Sequence, residues 1–135
     1  MRDTLAEFRR TQGFGRGIAA VQIGVLDRLL YIETEGQIYR IANPTIVFVS
    51  EEKFRLWDDC FSFPNLMVEL ERHREVVVEY QDETGSAQRL EAQDALAELL
   101  QHEIDHLDGV LAIDRALDPK TSFMTRREYL RQNLR

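Results

Sequence analysis

Two histidines four residues apart with a glutamate beside the first, in Gln101-His102-Glu103-Ile104-Asp105-His106-Leu107, are the residues of this chain whose spacing most clearly suits chemistry. On a helix, positions i and i+4 lie one above the other, so both imidazoles can converge on one ion. Glu103 then points roughly a quarter-turn away, poorly placed as a third ligand but within reach of a water or substrate held by the metal, where a carboxylate can move protons. A hydrolytic centre of this kind needs a third protein ligand and an open position for water. Two surface histidines on a helix can produce the same pattern by chance, so the remainder of the chain must supply that ligand.

The element that positions these residues is a helix over 92–107, which lacks Gly and Pro and carries Leu96, Leu99, Leu100, Ile104 and Leu107 at helical spacing, with Gly109 placed to stop it. Upstream, a first helix is expected from Asp3 or Thr4, as cap, through Thr11, with Leu5 and Phe8 inward. Residues 13–24 are small and glycine-rich, suited to close backbone approach, but have neither the Lys-Ser/Thr of a phosphate loop nor the third glycine of a dinucleotide loop. Strands are expected at 29–34, 37–42, 45–49, 66–70, 75–80 and 87–91, with Glu35-Gly36, Asn43-Pro44 and Asp82-Glu83-Thr84-Gly85 as breaks. A short return strand at 110–113 and a charged C-terminal helix at 122–134 complete the reading. Strands gathered ahead of one central helix, without regular alternation, indicate a single α+β domain over 1–135.

Composition narrows the function classes. The chain has 135 residues, 44% hydrophobic and 30% charged, with no apolar run approaching a membrane span. A net charge of −7 argues against the broad basic surface that a nucleic-acid backbone requires. The first ten residues are charged and lack a signal-peptide core, so the expected location is cytoplasmic. One cysteine, Cys60, excludes an internal disulfide and is a candidate ligand. His73 is expected to be solvated outside the site, and Trp57 to pack in the core or at a rim.

Three stretches in order, Gly15-Arg16-Gly17-Ile18-Ala19-Ala20-Val21-Gln22, Asp58-Asp59-Cys60-Phe61-Ser62 and His102-Glu103-Ile104-Asp105-His106, resemble the signature motifs of the peptide deformylase family, G-x-G-x-A-A-x-Q, E-G-C-L-S and H-E-x-D-H. The resemblance extends over about 5–114. It implies antiparallel sheets packed around the metal-binding helix, with a C-terminal helix. It also implies one divalent metal, Fe²⁺ or Zn²⁺, on Cys60, His102 and His106, with water as fourth ligand. A thiolate and two imidazoles suit either ion. Glu103 would pass a proton from that water to the departing amine. Gln22, with the backbone N–H of Phe61, would donate to the developing oxyanion. Backbone at Gly17 and Ile18 would pair with an extended N-formylated peptide or another formylated substrate, including nascent chains at the ribosome, with Asp59 and Met67 also facing it.

The match departs from the family in its second motif, where Asp58 stands for Glu, Asp59 for Gly and Phe61 for Leu, and Met67 stands where many members carry arginine. Arg72 is the expected partner of Asp58. Asp59 is expected to be strained if its position demands a positive φ, and to repel anionic substrate groups. Phe61 is expected to narrow the site. The first motif begins about a dozen residues into the sequence. The strand and loop that family members carry ahead of the first helix are therefore expected to be absent or replaced by homo-oligomerisation. The leading expectation is removal of an N-terminal formyl group with release of formate. The alternatives are hydrolysis of a different N-formyl or N-acyl amine and an idle relative that binds a peptide or protein.

Overall fold

The apolar periods resolve into two antiparallel sheets and three α-helices in the computed structural model, which describes residues 1–60 and 62–133. Strands β1 (Gly17–Ala19), β2 (Leu29–Thr34), β3 (Gln37–Val49), β6 (Glu75–Gln81) and β7 (Ala87–Gln93) form one sheet in the order β1-β2-β3-β6-β7. Strands β4 (Lys53–Cys60), β5 (Phe63–His73) and β8 (Phe123–Thr125) form the other, with β5 central. Helix α1 covers Arg2–Gln12, α2 Asp94–Leu107 and α3 Arg126–Asn133. No described helix is long and apolar enough to cross a membrane.

Helix α2 is buried almost all round, which only a helix enclosed by other elements can be. Ala97, Leu99, Leu100 and Ile104 pack on Leu30, Ile32, Ile41, Val76 and Val78 of the larger sheet. Another part of its surface turns His102 and Asp105 toward Asp58 and Arg72 of the smaller one. A second small core, Leu5 with Ile18 and Tyr31, seats α1 against β1 and β2. The expected α+β architecture around the central helix holds, including the C-terminal helix.

Several local expectations give way. Helix α1 starts at Arg2 after Met1 with no side-chain cap, so neither Asp3 nor Thr4 caps it; Leu5 is buried, and Phe8 is half-buried against the Phe14 ring. Asn43-Pro44 does not divide two strands. The chain runs through it as β3, with Asn43 at φ 51° and a register shift between Ala42 and Thr45, a bulge that tolerates proline's missing N–H. Strand β4 was not expected. Its Leu56, Asp58 and Cys60 share one face by the period of two, and polar residues at the last two positions mask the apolar alternation.

Residues 110–113 make no return strand. Asp114 accepts the Leu111 N–H and starts a 3-10 turn over Ala112–Arg115, which buries Ala112 against Val68 and Leu70. The C-terminal helix begins at Arg126, not at 122, because 123–125 pair with β5 and the Thr125 hydroxyl accepts the Glu128 N–H. Leu134, its expected last residue, lies outside the described residues. Glu35-Gly36 does form a tight hairpin, both residues having positive φ, between the pairs Thr34↔Gln37 and Glu33↔Ile38.

Candidate metal centre and adjoining cavity

The strand period and the helix period bring three donors together. Cys60, at the end of β4, and His102 and His106, one turn apart on α2, have ligand atoms all within 4.8 Å of one another, each side chain buried. His106 Nε2 lies 3.0 Å from His102 Nε2 and 3.4 Å from Cys60 Sγ. The two imidazoles meet edge-on, their planes at 80° and centroids 4.7 Å apart.

The tautomer of His102 follows from its other nitrogen. Nδ1 lies 2.7 Å from Asp58 Oδ2, and the Asp58 carboxyl is held below its ordinary pKa because His102 and Arg72 together override the cost of burial. An ionised carboxylate only accepts, so Nδ1 carries a hydrogen toward it and leaves Nε2, which faces His106 and Cys60, as the nitrogen able to hold a metal. The two rings titrate apart. Burial opposes charge on His102, but Asp58 outweighs it and raises that ring well above its ordinary value, whereas burial and the charge on His102 push His106 down to about 4. A thiol and two imidazoles with this carboxylate behind them fit zinc or ferrous iron.

Behind the cage the charges continue in a chain. Arg72, as expected, joins Asp58 at 3.2 Å, and it also joins Asp105 at 2.7 Å; Asp105 in turn accepts two hydrogen bonds from Arg115. His73 is not free in solvent: its ring nitrogen meets the Ser50 carbonyl at 2.7 Å, and its main chain exchanges hydrogen bonds with the Gln101 amide.

Glu103 lies on the cavity side of α2, and burial raises its carboxyl to about 7. Its Oε2 has no hydrogen-bond partner. Gly17 is packed so closely upon it that a Cβ there would stand 3.2 Å from Glu103 Oε1, which explains a glycine at this position of β1. Strand β1 is an edge strand, paired among the described strands with β2 alone, and the Ile18 side chain is turned into the core.

Gln22 sits in a 3-10 turn, Ala20–Ile23, after β1. Its Oε1 accepts the Ala19 N–H at 2.8 Å, which fixes the amide's orientation and directs Nε2 to Ser62 Oγ at 2.9 Å and Cys60 Sγ at 3.4 Å. Phe61, expected to supply a second donor and to narrow the site, lies outside the described residues.

A cavity of about 370 Å³ opens beside the cage and reaches Gly17, Leu56, Trp57, Asp58, Asp59, Cys60, Met67, Glu98, His102 and Glu103 among others. Met67 is buried and forms wall. Trp57 lies on this lining, half-buried. The strain expected at Asp59 is absent: it lies in β4, and among the described non-glycine residues only Glu35, Asn43 and Asp94 have positive φ. Its charge is paired with Arg126 of α3 at 2.5 Å, and that guanidinium also stacks 3.4 Å over the Phe14 ring. The cavity wall further contains an ion pair that was not expected, Arg16 with Glu98. Glu98 stands four residues before His102, hence on the same helix face, so the helical period could have flagged it. Arg126 carried no local signal.

Comparisons with known proteins agree with this geometry. The sequence model of the polypeptide deformylase family matches residues 1–122. The chain is 43% identical over 118 residues to a peptide deformylase of Rhizobium meliloti, covering 84% of this chain and 68% of that protein. It is 43% identical over 103 residues to one from Thermoanaerobacter pseudethanolicus, covering 76% and 64%. Among solved structures, a Synechococcus elongatus peptide deformylase in complex with actinonin aligns with a TM-score of 0.80 at 33% identity, over 88% of this chain and 68% of that one. The peptide deformylase of Thermus thermophilus aligns with a TM-score of 0.78 at 36% identity, over 98% and 76%. The chain thus spans about two thirds of the length of these curated relatives.

Proposed function

The chain belongs to the peptide deformylase family, and from that premise we propose that it is a metallohydrolase removing the N-terminal formyl group of peptides. The observation that carries this reading is the convergence of Cys60, His102 and His106, with Asp58 fixing the His102 tautomer, beside a cavity lined by an unpartnered Glu103 oxygen. A divalent cation held by these three side chains would supply Lewis acidity to a formyl carbonyl and to the attacking water. Water adds to the formyl carbon, the C–N bond breaks, and formate and a free amine leave.

Glu103 accepts the proton that the water gives up and returns it to the amine nitrogen. Its buried carboxyl, near neutrality, suits both halves of that exchange. The Gln22 amide, held by Ala19, donates to the oxygen that becomes negative as the carbonyl is attacked. The free side of β1 takes the extended peptide backbone as an added strand, and Gly17 leaves room for it beside Glu103. The substrate class is N-formylated peptides, nascent chains among them, and the resident ion is ferrous iron or zinc.

Formate release from formyl-Met-Ala-Ser tests this, with protein loaded anaerobically with ferrous iron or with zinc. Turnover that falls about 10²–10⁴-fold in Glu103→Gln, with metal content unchanged, is expected. Metal-loaded protein that releases no formate from any N-formyl peptide would overturn it.

A further inference from the structure

Among the described residues three buried polar side-chain atoms lack a hydrogen-bond partner: Arg72 Nε, Glu103 Oε2 and Glu98 Oε2. Glu103 has its role in the reaction proposed above. Glu98 does not, yet it lines the same cavity. Its side chain is only 7% exposed, and its other oxygen is occupied by Arg16 Nη2. It stands one helical turn before His102, about 6 Å along the axis of α2, the reach of a long side chain from a peptide held at the metal cage. The apolar part of the wall includes Phe14, Leu56, Trp57, Met67 and Leu99, with Tyr129 beside them.

We propose that Glu98, held by Arg16, is a specificity-determining residue, accepting a hydrogen bond from a donor at the tip of the substrate's first side chain, so that the cavity selects glutamine- or lysine-like residues over purely aliphatic or thioether ones. This rests on the deformylase reading above. The apolar wall covers the stem of such a side chain, and the unpartnered oxygen receives its end. A methyl or thioether tip leaves that buried oxygen unpaired, a loss that discriminates more strongly than one methylene does. The charge of Glu98 is balanced by Arg16, which also reaches the Ala95 carbonyl at 3.5 Å, so a neutral amide donor is satisfied as well as an ammonium. Asp58, Asp59 and Glu103 on the same lining set negative charge around a lysine's ammonium.

The test compares formyl-Gln-Ala-Ser, formyl-Lys-Ala-Ser and formyl-norleucyl-Ala-Ser on metal-loaded protein in two ways. Formate release gives kcat/KM, and calorimetric titration of the metal-loaded Glu103→Gln variant gives Kd without turnover. Both are expected to favour the Gln and Lys peptides by about tenfold or more. Glu98→Leu, and Arg16→Leu/Glu98→Leu, which leaves no unpaired guanidinium, are expected to reverse the order toward norleucine, while Glu98→Gln, which keeps an acceptor, retains it. A merely structural ion pair would lower the melting temperature of these variants and leave the order unchanged, and that result overturns the proposal. So does a preference for norleucine in the wild-type protein, with the deformylase reading intact. Donor-dependent binding without any formate release would sustain the role of Glu98 and sink the deformylase reading. Neither release nor discrimination in binding would overturn both.

Discussion

Helix α2 handles buried charge differently at two places on its surface. Toward the smaller sheet, His102 and Asp105 enter a continuous chain of partners, Asp58, Arg72 and Arg115, in which every carboxylate is paired and only Arg72 Nε lacks an acceptor. Toward the cavity, Glu98 and Glu103 each keep one oxygen without a partner. Leaving a buried acceptor unmade costs about 1–3 kcal/mol, so two such atoms around one cavity are a standing cost that a structural role would have removed. The paired side orients ligands and should resist change as a unit. The unpaired side is completed by what enters the cavity.

The sharpest way to break the contrast is to remove a donor from the cage. Cys60→Ala is expected to take metal content from one ion per chain to near none, measured by atomic emission, with formate release falling to background. Chelation should do the same to the wild-type protein, and readdition of iron or zinc should reverse it.

Next in size is the chain behind the cage. Arg72→Met leaves Asp58 and Asp105 without their shared partner, and a loss of about 3–5 kcal/mol in denaturant unfolding is expected. Asp58→Asn, which removes the carboxylate from His102 Nδ1, should weaken metal affinity about 10–100-fold while the protein still folds. Equal metal affinity in Asp58→Asn would show that the carboxylate does not orient the ring.

A smaller effect sharpens the cavity side. Gly17→Ala places a methyl 3.2 Å from Glu103 Oε1, so the carboxylate must move by a few tenths of an ångström. A fall of about tenfold in kcat with unchanged metal content is expected, since displacing the group that handles the proton is felt in the rate. The smallest effect concerns the rim. Arg126→Ala breaks a largely buried pair with Asp59 and also removes the stacking on Phe14 and the bond to the Pro64 carbonyl, so stability should fall by about 1 kcal/mol. The freed Asp59 charge should raise KM by a few-fold for substrates with a carboxylate near the formyl group, an increase that salt should suppress.

The residues that were legible in advance share one property: their relation is local. His102, Glu103 and His106 sit on one helix, and the period of that helix places them whatever the surrounding fold. The Glu35-Gly36 hairpin is equally local. Cys60 and the pairing of Asp58 with Arg72 were reached through a family resemblance, because 42 residues separate Cys60 from His102 and no period links them. Strand β4 escaped notice for a related reason. Its inward face ends in Asp58 and Cys60, so the segment most committed to the site lacks the apolar alternation by which strands are recognised. The strain expected at Asp59 was an argument from the family's glycine, and extended backbone at that position removed it.

By itself, then, the amino-acid sequence determined the helix that carries His102, Glu103 and His106 and the strand-rich architecture around it, because these depend on periods of a few residues. Tertiary structure alone decided the character of the cavity: that Arg126 of α3 neutralises Asp59, that Arg16 reaches Glu98, and that one oxygen of Glu98 is left over. These are contacts across 67 and 82 residues, and whether a buried acceptor finds a partner depends on every element that closes around it.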